Sequence, residues 1–324
     1  MDIGRTVDGV VDDALITGNE YLYLGVSWVP GVPTLDLVEV CSVRHVRVPV
    51  VGRRVAFRTA APDRFCTGRY GFADRTGIDY LPCPRQERAD QSAQCARCAG
   101  LDEFRFAHNF HQGGYAPPAL TEYMNQPHWV YVATFADASS KVGTATDARR
   151  RSRIDEQGAV TASYVAHTRD GRTARILEDT VTRELAVTQY RRRTEKVAAL
   201  AAPAARETID AAHRRVTERV LVLLAGVGKD GSAAVGIERW HPPAEARMVL
   251  DPTRAREWQP YQHDLRSGGH GFVVDACAGP ALLVRTSPEP DAQRYVLDMG
   301  RVKGRRIVAG AFVSPESVVQ DTLF

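Results

Sequence analysis

A short apolar strand pattern at residues 129–133 and a second short strand at 141–143 constrain the fold of this chain most. Turn-forming residues at 137–140 separate them, an arginine run begins at Arg149, and an apolar helical stretch containing Glu178 follows. Apolar runs joined by a short polar turn are typical of an antiparallel pair of strands. The order therefore predicts a compact α/β unit in which a hairpin leads into helices.

The spacing of polar residues in this stretch resembles that of the GIY-YIG nuclease domain. Tyr131 ends a first triplet, Trp-Val-Tyr, and Lys141 opens a second triplet, Lys-Val-Gly. Arg151 lies eight places after Gly143, and Glu178 stands in the apolar helical stretch, as the arginine and the glutamate do in that family. We therefore expect a GIY-YIG-like fold for the central part of the chain.

The resemblance also implies site residues and a chemistry. In those nucleases tyrosines help to activate water, the arginine holds the scissile phosphate, and the glutamate binds one divalent cation. Catalytic roles are thus implied for Tyr131, Lys141, Arg151 and Glu178, with Mg²⁺ or Mn²⁺ at Glu178. Lys141 departs from the pattern, because the nucleases carry tyrosine there, and no Pro-x-Tyr-Asn-like sequence follows the glutamate helix. A lysine can hold a phosphate, but at its ordinary pKa it is a poor base.

A second resemblance covers more of the chain, roughly residues 20 to 310. Lys-Val-Gly at 141–143, Gln-Gly-Ala at 157–159 and a cysteine cluster upstream resemble an uncharacterised bacterial family with a GIY-YIG-like core and zinc-site cysteines. That family implies an architecture and no established activity.

The upstream cysteines predict a structural zinc site. Cys95 and Cys98 form a Cys-x-x-Cys pair, and Cys66 and Cys83 complete four thiolates, the number that a closed tetrahedral zinc site uses. The wide spacing before Cys95 leaves open that His108 or His111 replaces one thiolate.

A redox role for the pair is the alternative, but a thioredoxin-like motif needs a βαβ context, and Cys95 follows a polar stretch. Residues 61–120 show little periodicity, so we expect metal to supply the stability that a core otherwise gives. Cys41 and Cys277 lie in apolar strand patterns and are predicted to be buried.

Strand patterns also occur at both ends of the chain. Neither end has enough of them for a full sheet, so the two ends are expected to pair. The prediction is an α+β protein in four parts: an N-terminal β segment (1–60) that pairs with the C-terminal strands, a zinc-binding region (61–120), a GIY-YIG-like α/β domain with a helical extension (121–227), and a C-terminal β segment (228–324). In the extension, helical periodicity runs from 172 to 225 with a break near Pro203.

Composition narrows the class of protein only a little. The net charge of +3 is too small to indicate nucleic acid by itself, and only four of the 42 basic residues are lysines. No apolar run is long enough for a membrane span, and the first residues show no signal pattern, so we expect a cytoplasmic protein without a membrane partner.

Three functional hypotheses follow. The leading one is a zinc-containing protein that engages nucleic acid or another phosphate ester, with metal-dependent phosphodiester hydrolysis as its catalytic form. The second is a non-catalytic module that binds nucleic acid or protein in the same cleft, and the third is a small-metabolite tailoring enzyme. Against all three stands a purely structural interpretation, in which Tyr131 is a core residue, residues 149–153 are a solvated turn, and Glu178 is one carboxylate among several.

Overall fold

The computed structural model describes residues 10–11, 14–29, 31–72, 77–89, 91–227, 233–254 and 258–315. The strands are β1 (Val10–Val11), β2 (Glu20–Val29), β3 (Val32–Glu39), β4 (Arg44–Pro49), β5 (Arg54–Thr59), β6 (Arg69–Gly71), β7 (Asp79–Leu81), β8 (His128–Thr134), β9 (Ser140–Thr146), β10 (Thr161–Thr168), β11 (Ala233–Arg239), β12 (Trp258–Pro260), β13 (Gly269–Ala278), β14 (Ala281–Arg285), β15 (Arg294–Asp298) and β16 (Arg306–Ala309). The α-helices are α1 (Ala96–Leu101), α2 (Pro118–Met124), α3 (Arg150–Asp155), α4 (Gly171–Leu185), α5 (Arg193–Ala201), α6 (Arg206–Val227) and α7 (Ala244–Arg247).

A large mixed sheet joins the two ends of the chain, which confirms the predicted pairing. Its strand order is β1-β4-β3-β2-β16-β5-β13-β14-β15-β12. β16 lies between two N-terminal strands, with Ile307 opposite Tyr21 on β2 and opposite Thr59 on β5. Ile307 is fully buried there. Because β16 separates β2 from β5, and β13 pairs with the other edge of β5, the N-terminal strands would expose unpaired edges without the C-terminal ones.

A smaller antiparallel sheet forms the centre of the α/β unit, in the order β11-β10-β8-β9. The predicted hairpin is β8 and β9, and β10 and β11 are additional. β10 is buried along almost its whole length, so its sequence lacks the alternation that marks a half-buried strand. β11, although it falls in the predicted C-terminal segment, pairs with β10. The predicted boundary at 227 adjoins residues 228–232, which are outside the described part.

The two faces of the central sheet pack against different layers. Val130 and Val132 share a core with apolar residues of α4 and α6, whereas Tyr131 and Ala133 belong to the core shared with the large sheet. Successive strand residues point to opposite faces, so β8 separates these two cores. Polar residues on the Tyr131 face therefore lie where the central unit meets the terminal strands.

The helical region breaks twice, not once as predicted. α4 ends at Ala186, which adopts a left-handed conformation with φ 56°, and the second break precedes α6 near Pro203. Between α4 and α5, Thr188 forms an isolated parallel bridge with Lys141 on β9. The extra break thus allows the chain to cover the edge of the central sheet. No helix in the described ranges is long and apolar enough to cross a membrane.

Residues 61–120 contain a small apolar core, contrary to the prediction that they lack one. Phe72 and Phe110 pack with Leu120, Tyr123 and Met124 of α2. The four clustered cysteines form a separate buried group, with Ala89 as their only apolar companion among the described residues. The sequence obscures this core because Phe72 and Phe110 lie outside the α-helices and strands, and α2, at seven residues, is too short to show a clear helical period.

Candidate functional site

The four predicted cysteines converge, and they form a cluster that could hold a zinc ion. The Sγ atoms of Cys66, Cys83, Cys95 and Cys98 all lie within 4.8 Å of one another. Tetrahedral thiolates at the usual zinc–sulfur distance lie about 3.8 Å apart, so a small contraction would suit the ion. All four residues are buried, which is typical of a closed structural site.

Local structure explains why the Cys-x-x-Cys pair can share one ion. Cys95 is the N-cap of α1, and its Sγ accepts a hydrogen bond from the backbone N–H of Cys98 at 3.5 Å. Both thiols thus face the same side of the first helical turn. Cys66 is held by its backbone N–H, which donates to the Glu87 carbonyl at 2.8 Å.

The pKa values of the thiols show that the buried cluster disfavours thiolates unless a cation is bound. Burial raises the pKa of Cys66 to about 11, and burial together with the neighbouring thiols Cys66 and Cys95 raises that of Cys98. Burial alone would also raise the pKa of Cys83, but backbone hydrogen bonds at Glu87 and Arg85 bring it below its usual value. A bound cation reverses this cost, because it favours the thiolate.

The other candidate ligands, His108 and His111, and the two remaining cysteines, Cys41 and Cys277, lie outside the cysteine cluster. His111 lies 2.7 Å from Asp179 on α4, through Nε2 and Oδ2, and neither His111 nor His108 belongs to the metal-ligating cluster of the described residues. Cys277 is buried, as predicted. Cys41 is exposed, contrary to prediction, because β3 ends at Glu39 and Cys41 falls in the turn beyond it.

The second group of predicted residues begins with a tyrosine on β8. Tyr131 is fully buried, and its hydroxyl has no hydrogen-bond partner among the residues that the structure describes. It lies opposite Gly143 on β9, where a Cβ atom would overlap the tyrosine hydroxyl. Because Gly143 has no side chain, the Tyr131 ring can occupy the space above it. Burial raises the pKa of Tyr131.

Lys141 lies on the same face of the hairpin, opposite Ala133. Only 6% of the residue is exposed, and its Nζ donates to Gln157 Oε1 at 3.3 Å. Burial and the nearby charges of Arg153 and Lys196 lower the pKa of Lys141 to about 7. This lysine therefore differs from the ordinary lysine assumed from sequence, because its amine is partly deprotonated near neutral pH.

Glu178 approaches from α4, which packs along β9 at the edge of the sheet. Its Oε2 accepts from Arg175 Nη1 at 2.7 Å, and the carboxylate is almost fully buried. Burial raises the pKa of Glu178, against the opposing effect of Arg175. The glutamate is thus neutralised by an arginine of its own helix.

The arginine run does not act as one group. Arg149 pairs with Glu156 at 2.8 Å, and Arg150 pairs with Glu238 at 3.0 Å. Arg151, the predicted phosphate-binding arginine, is exposed on α3.

Arg153, two places further along α3, is the arginine whose charge reaches the site. It contributes to the lowered pKa values of Lys141 and Lys196 and acts on that of Tyr131. Its side chain is 41% exposed and lies 3.9 Å from Glu156, the carboxylate that Arg149 holds more closely. The charge of Arg153 thus acts on Tyr131, Lys141 and Glu178, whereas that of Arg151 acts on Asp155 and Tyr164.

Three residues of this group were not predicted as site residues: Arg153, Gln157 and Lys196. Lys196, on α5, donates to the same Gln157 Oε1 at 3.4 Å, and burial, Arg153 and Arg191 lower its pKa to about 8. The scarcity of lysine in an arginine-rich chain was the one signal that could have singled out both lysines.

A close backbone contact fixes the position of Gln157. The turn at Gly158 packs against Gly279 of the large sheet, where a Cβ atom on Gly279 would lie 2.8 Å from the Gly158 backbone nitrogen. Both glycines have positive φ, 68° and 55°, a conformation that glycine adopts at little cost. We define the Tyr131, Lys141, Arg153, Gln157, Glu178 and Lys196 group as the lysine cleft.

A larger cavity lies elsewhere. Its volume is about 390 Å³, it is lined by residues of the large sheet and the segment before β2, including Arg53, Arg54 and Val55, and it shares no residue with the lysine cleft. The lining does not combine acids, bases or metal ligands, so the chemistry of the chain is better represented by the cleft and the cysteine cluster.

Fold and sites together define an α+β protein with a cluster of four buried cysteines and a separate group of buried lysines. Residues 81–238 match the model of a family described as a protein of unknown function, DUF2797. The matched segment includes three of the four cysteines and every residue of the lysine cleft. No curated protein and no solved structure matches the chain.

Proposed function

We propose that the lysine cleft binds a phosphate ester, with nucleic acid as the substrate class, and that the cysteine cluster holds a structural zinc ion. The architecture of the central unit supports the first part. β8 is flanked by β9 and β10, α3 follows the hairpin, and α4 follows β10. This order is what a GIY-YIG-like domain requires of residues 128–185.

The observation that carries the proposal is a buried cation without an anionic partner. Among the ion pairs of the described residues, Lys141 has no carboxylate within 4.0 Å, and its nearest partner is the neutral amide oxygen of Gln157. A buried charge is costly unless it is paired. Arg153 adds a second cation with an exposed side chain, so an anion can enter and be held by both.

Binding is proposed ahead of cleavage because of Glu178. The resemblance implies a divalent cation at this carboxylate, but Arg175 already compensates its charge at 2.7 Å. The arrangement described here does not fit a resident Mg²⁺ or Mn²⁺, and no catalytic step is derived through one.

Phosphodiester hydrolysis is the second candidate, and two observations favour it. The lowered pKa of Lys141, about 7, makes the amine a usable proton acceptor near neutral pH. The buried Tyr131 hydroxyl has no other hydrogen-bond partner, so it is free to bond to a substrate oxygen or an attacking water.

Fluorescence anisotropy with labelled DNA and RNA tests the proposal. We expect binding that weakens with salt, as for any protein that contacts phosphates, and at least a tenfold loss of affinity in Lys141→Gln. Arg214→Gln, an exposed arginine on α6, removes one positive charge on the opposite face of the sheet and is the matched control. Equal losses in the two variants would reduce the effect to net charge and contradict the cleft.

Incubation of the same oligonucleotides with Mg²⁺ or Mn²⁺ separates binding from hydrolysis. If the chain cleaves them through a metal at Glu178, as the GIY-YIG resemblance implies, Glu178→Gln should abolish cleavage and leave affinity unchanged or slightly higher, because a carboxylate repels phosphate when no metal lies between them. Cleavage that persists in Glu178→Gln would instead agree with the pairing of Glu178 with Arg175. Intact oligonucleotides after prolonged incubation would leave the non-catalytic form of the proposal standing.

A further inference from the structure

The lysine cleft contains a second lysine that no motif implies, and the pair has an unusual acceptor. Lys141 Nζ and Lys196 Nζ donate to one oxygen, Gln157 Oε1, at 3.3 and 3.4 Å. Neither amine has a carboxylate within 4.0 Å among the ion pairs of the described residues. Each also lies over an aromatic ring, Lys141 at 5.9 Å from the centre of Tyr131 and Lys196 at 5.2 Å from that of Phe135.

Three different parts of the fold bring these groups together. Lys141 is on edge strand β9, Lys196 is on α5, which packs against β15 of the large sheet, and Gln157 is held by the Gly158–Gly279 contact. Because three separate elements hold Lys141, Lys196 and Gln157 together, the central unit must keep a fixed orientation relative to the large sheet. The structure therefore fixes two like charges close together, which folding alone would disfavour.

Nearby charges set the charge of the anion that would fit. Arg175 and Glu178 neutralise each other. Glu156 is shared between Arg149 and Arg153, with the shorter distance to Arg149. The cleft is left with Lys141, Lys196 and most of the Arg153 charge. A phosphodiester carries one negative charge, whereas a phosphomonoester carries about −1.5 to −2 near pH 7 and has three acceptor oxygens.

We propose that the lysine cleft recognises a terminal phosphate, the phosphomonoester at the end of a nucleic-acid strand, with Lys141, Lys196 and Arg153 as its donors. This inference rests on the proposed function, since it names the part of the phosphate ester that enters the cleft. Gln157 is the positioning residue. It holds both amines at one point, and its neutral amide does not compensate a positive charge on either amine, so a bound anion would be the partner of the protonated forms.

The test compares single-stranded oligonucleotides that differ only in their end groups. We expect the chain to bind the 5′- or 3′-phosphorylated form at least tenfold more tightly than the form with hydroxyl ends, and inorganic phosphate to compete with the former. Phenyl phosphate serves as a small phosphomonoester. If it competes as well as the phosphorylated strand, the strand itself contributes nothing and the nucleic-acid part of the inference is overturned.

Gln157→Glu is the decisive variant, because it is nearly isosteric and places a carboxylate between the two amines. We expect it to remove the preference for phosphorylated ends while the thermal midpoint stays equal or rises. Lys196→Met should reduce the preference in the same direction, and Arg214→Met controls for loss of one charge. A preference that survives Gln157→Glu in folded protein would overturn the inference.

Different results would contradict phosphate-ester binding and recognition of a terminal phosphate. Equal affinity of the wild-type chain for phosphorylated and hydroxyl ends would overturn recognition of the terminal phosphate and leave phosphate-ester binding intact. No binding of any oligonucleotide at low salt, together with no competition by inorganic phosphate, would overturn the proposed function itself.

Discussion

The cysteine cluster and the lysine cleft both bury ionisable groups, but they need ligands of opposite charge. Burial raises the pKa of Cys66 and Cys98, so those thiols resist becoming anions until a cation binds. Burial lowers the pKa of Lys141 and Lys196, so those amines resist being cations until an anion binds. The same physical cost, desolvation of charge, thus identifies a metal site in one region and an anion site in the other.

The two regions also differ in access. All four thiols are buried, so a bound ion would be enclosed and structural. The lysine cleft has two members that reach the surface in part, Arg153, whose side chain is 41% exposed, and half-buried Lys196, so the proposed ligand would enter on their side. A metal enclosed by the four cysteines would stabilise the fold. The buried lysines of the cleft instead destabilise the fold until an anion binds to them.

Removing the metal should give the largest effect. Zinc ligation contributes on the order of 10 kcal/mol to folding in structural sites, so Cys95→Ser or chelation should expose residues 61–115 to protease while the central unit stays largely intact. The aromatic core around Phe72 and Phe110 should limit the damage to the cysteine-bearing loops.

Elemental analysis of protein purified without chelator provides the direct check. We expect about one equivalent of zinc, the amount that a single four-ligand site holds. Less than about half an equivalent, with the protein folded, would mean that the cluster is stable as free thiols and that the comparison with the cleft is wrong.

Arg153→Ala should weaken phosphate-ester binding by roughly 1 to 3 kcal/mol, the range for hydrogen bonds to charged groups. Arg151→Ala should cost less than about 0.5 kcal/mol, because that residue is exposed on α3 and its charge is not among those that shift the pKa of Lys141, Tyr131 or Glu178. Titration of a labelled oligonucleotide measures both. The reverse order would restore Arg151 to the role that the GIY-YIG resemblance implies.

Lys141→Met should stabilise the protein while weakening binding. Replacing a buried amine that lacks an anionic partner removes a desolvation cost of roughly 1 to 3 kcal/mol. The folded-state pKa of Lys141, about 7, lies below its usual 10.5, so the wild type gains stability as pH rises between these values. The advantage of the variant should therefore be largest at pH 7 and below. Urea unfolding at pH 7 and pH 10 measures it, and a variant less stable than wild type at pH 7 would contradict a costly lysine.

Affinity for a phosphate ester should fall as pH rises from about 7 to 9. The free cleft has amine pKa values of about 7 and about 8, and an anion binds the protonated forms, so each deprotonation removes part of the attraction. Arg153 keeps its charge over this range, because its interaction with Tyr131 raises its pKa, and Glu178 is paired with Arg175. Anisotropy at constant ionic strength should show a decrease of about tenfold, and Lys141→Met should flatten the profile. A pH-independent affinity in the wild type would show that the lysines do not contact the ligand.

Sequence predicted the cysteine cluster better than the cleft, for a reason that lies in chain distance. Two of the cysteines belong to one helical turn, and Cys-x-x-Cys spacing by itself brings both sulfurs to one side. The hairpin of β8 and β9 and the position of Glu178 on α4 were likewise predictable from local pattern. Arg151 was the residue that spacing favoured, yet the rotation of α3 against the sheet places Arg153 nearer to Lys141.

The sequence by itself determined the strands of the hairpin and the four thiols. It also predicted that strands from the two ends pair, and it showed that lysine is scarce. Tertiary structure alone decided that Lys141, Gln157 and Lys196 meet, that Arg175 neutralises Glu178, and that the Lys141 amine titrates near pH 7. Those properties depend on how β9, α5 and the Gly158–Gly279 contact are oriented in space. Desolvation and charge–charge interaction act over a few ångströms, and the sequence gives no such distance between residues that lie far apart along the chain.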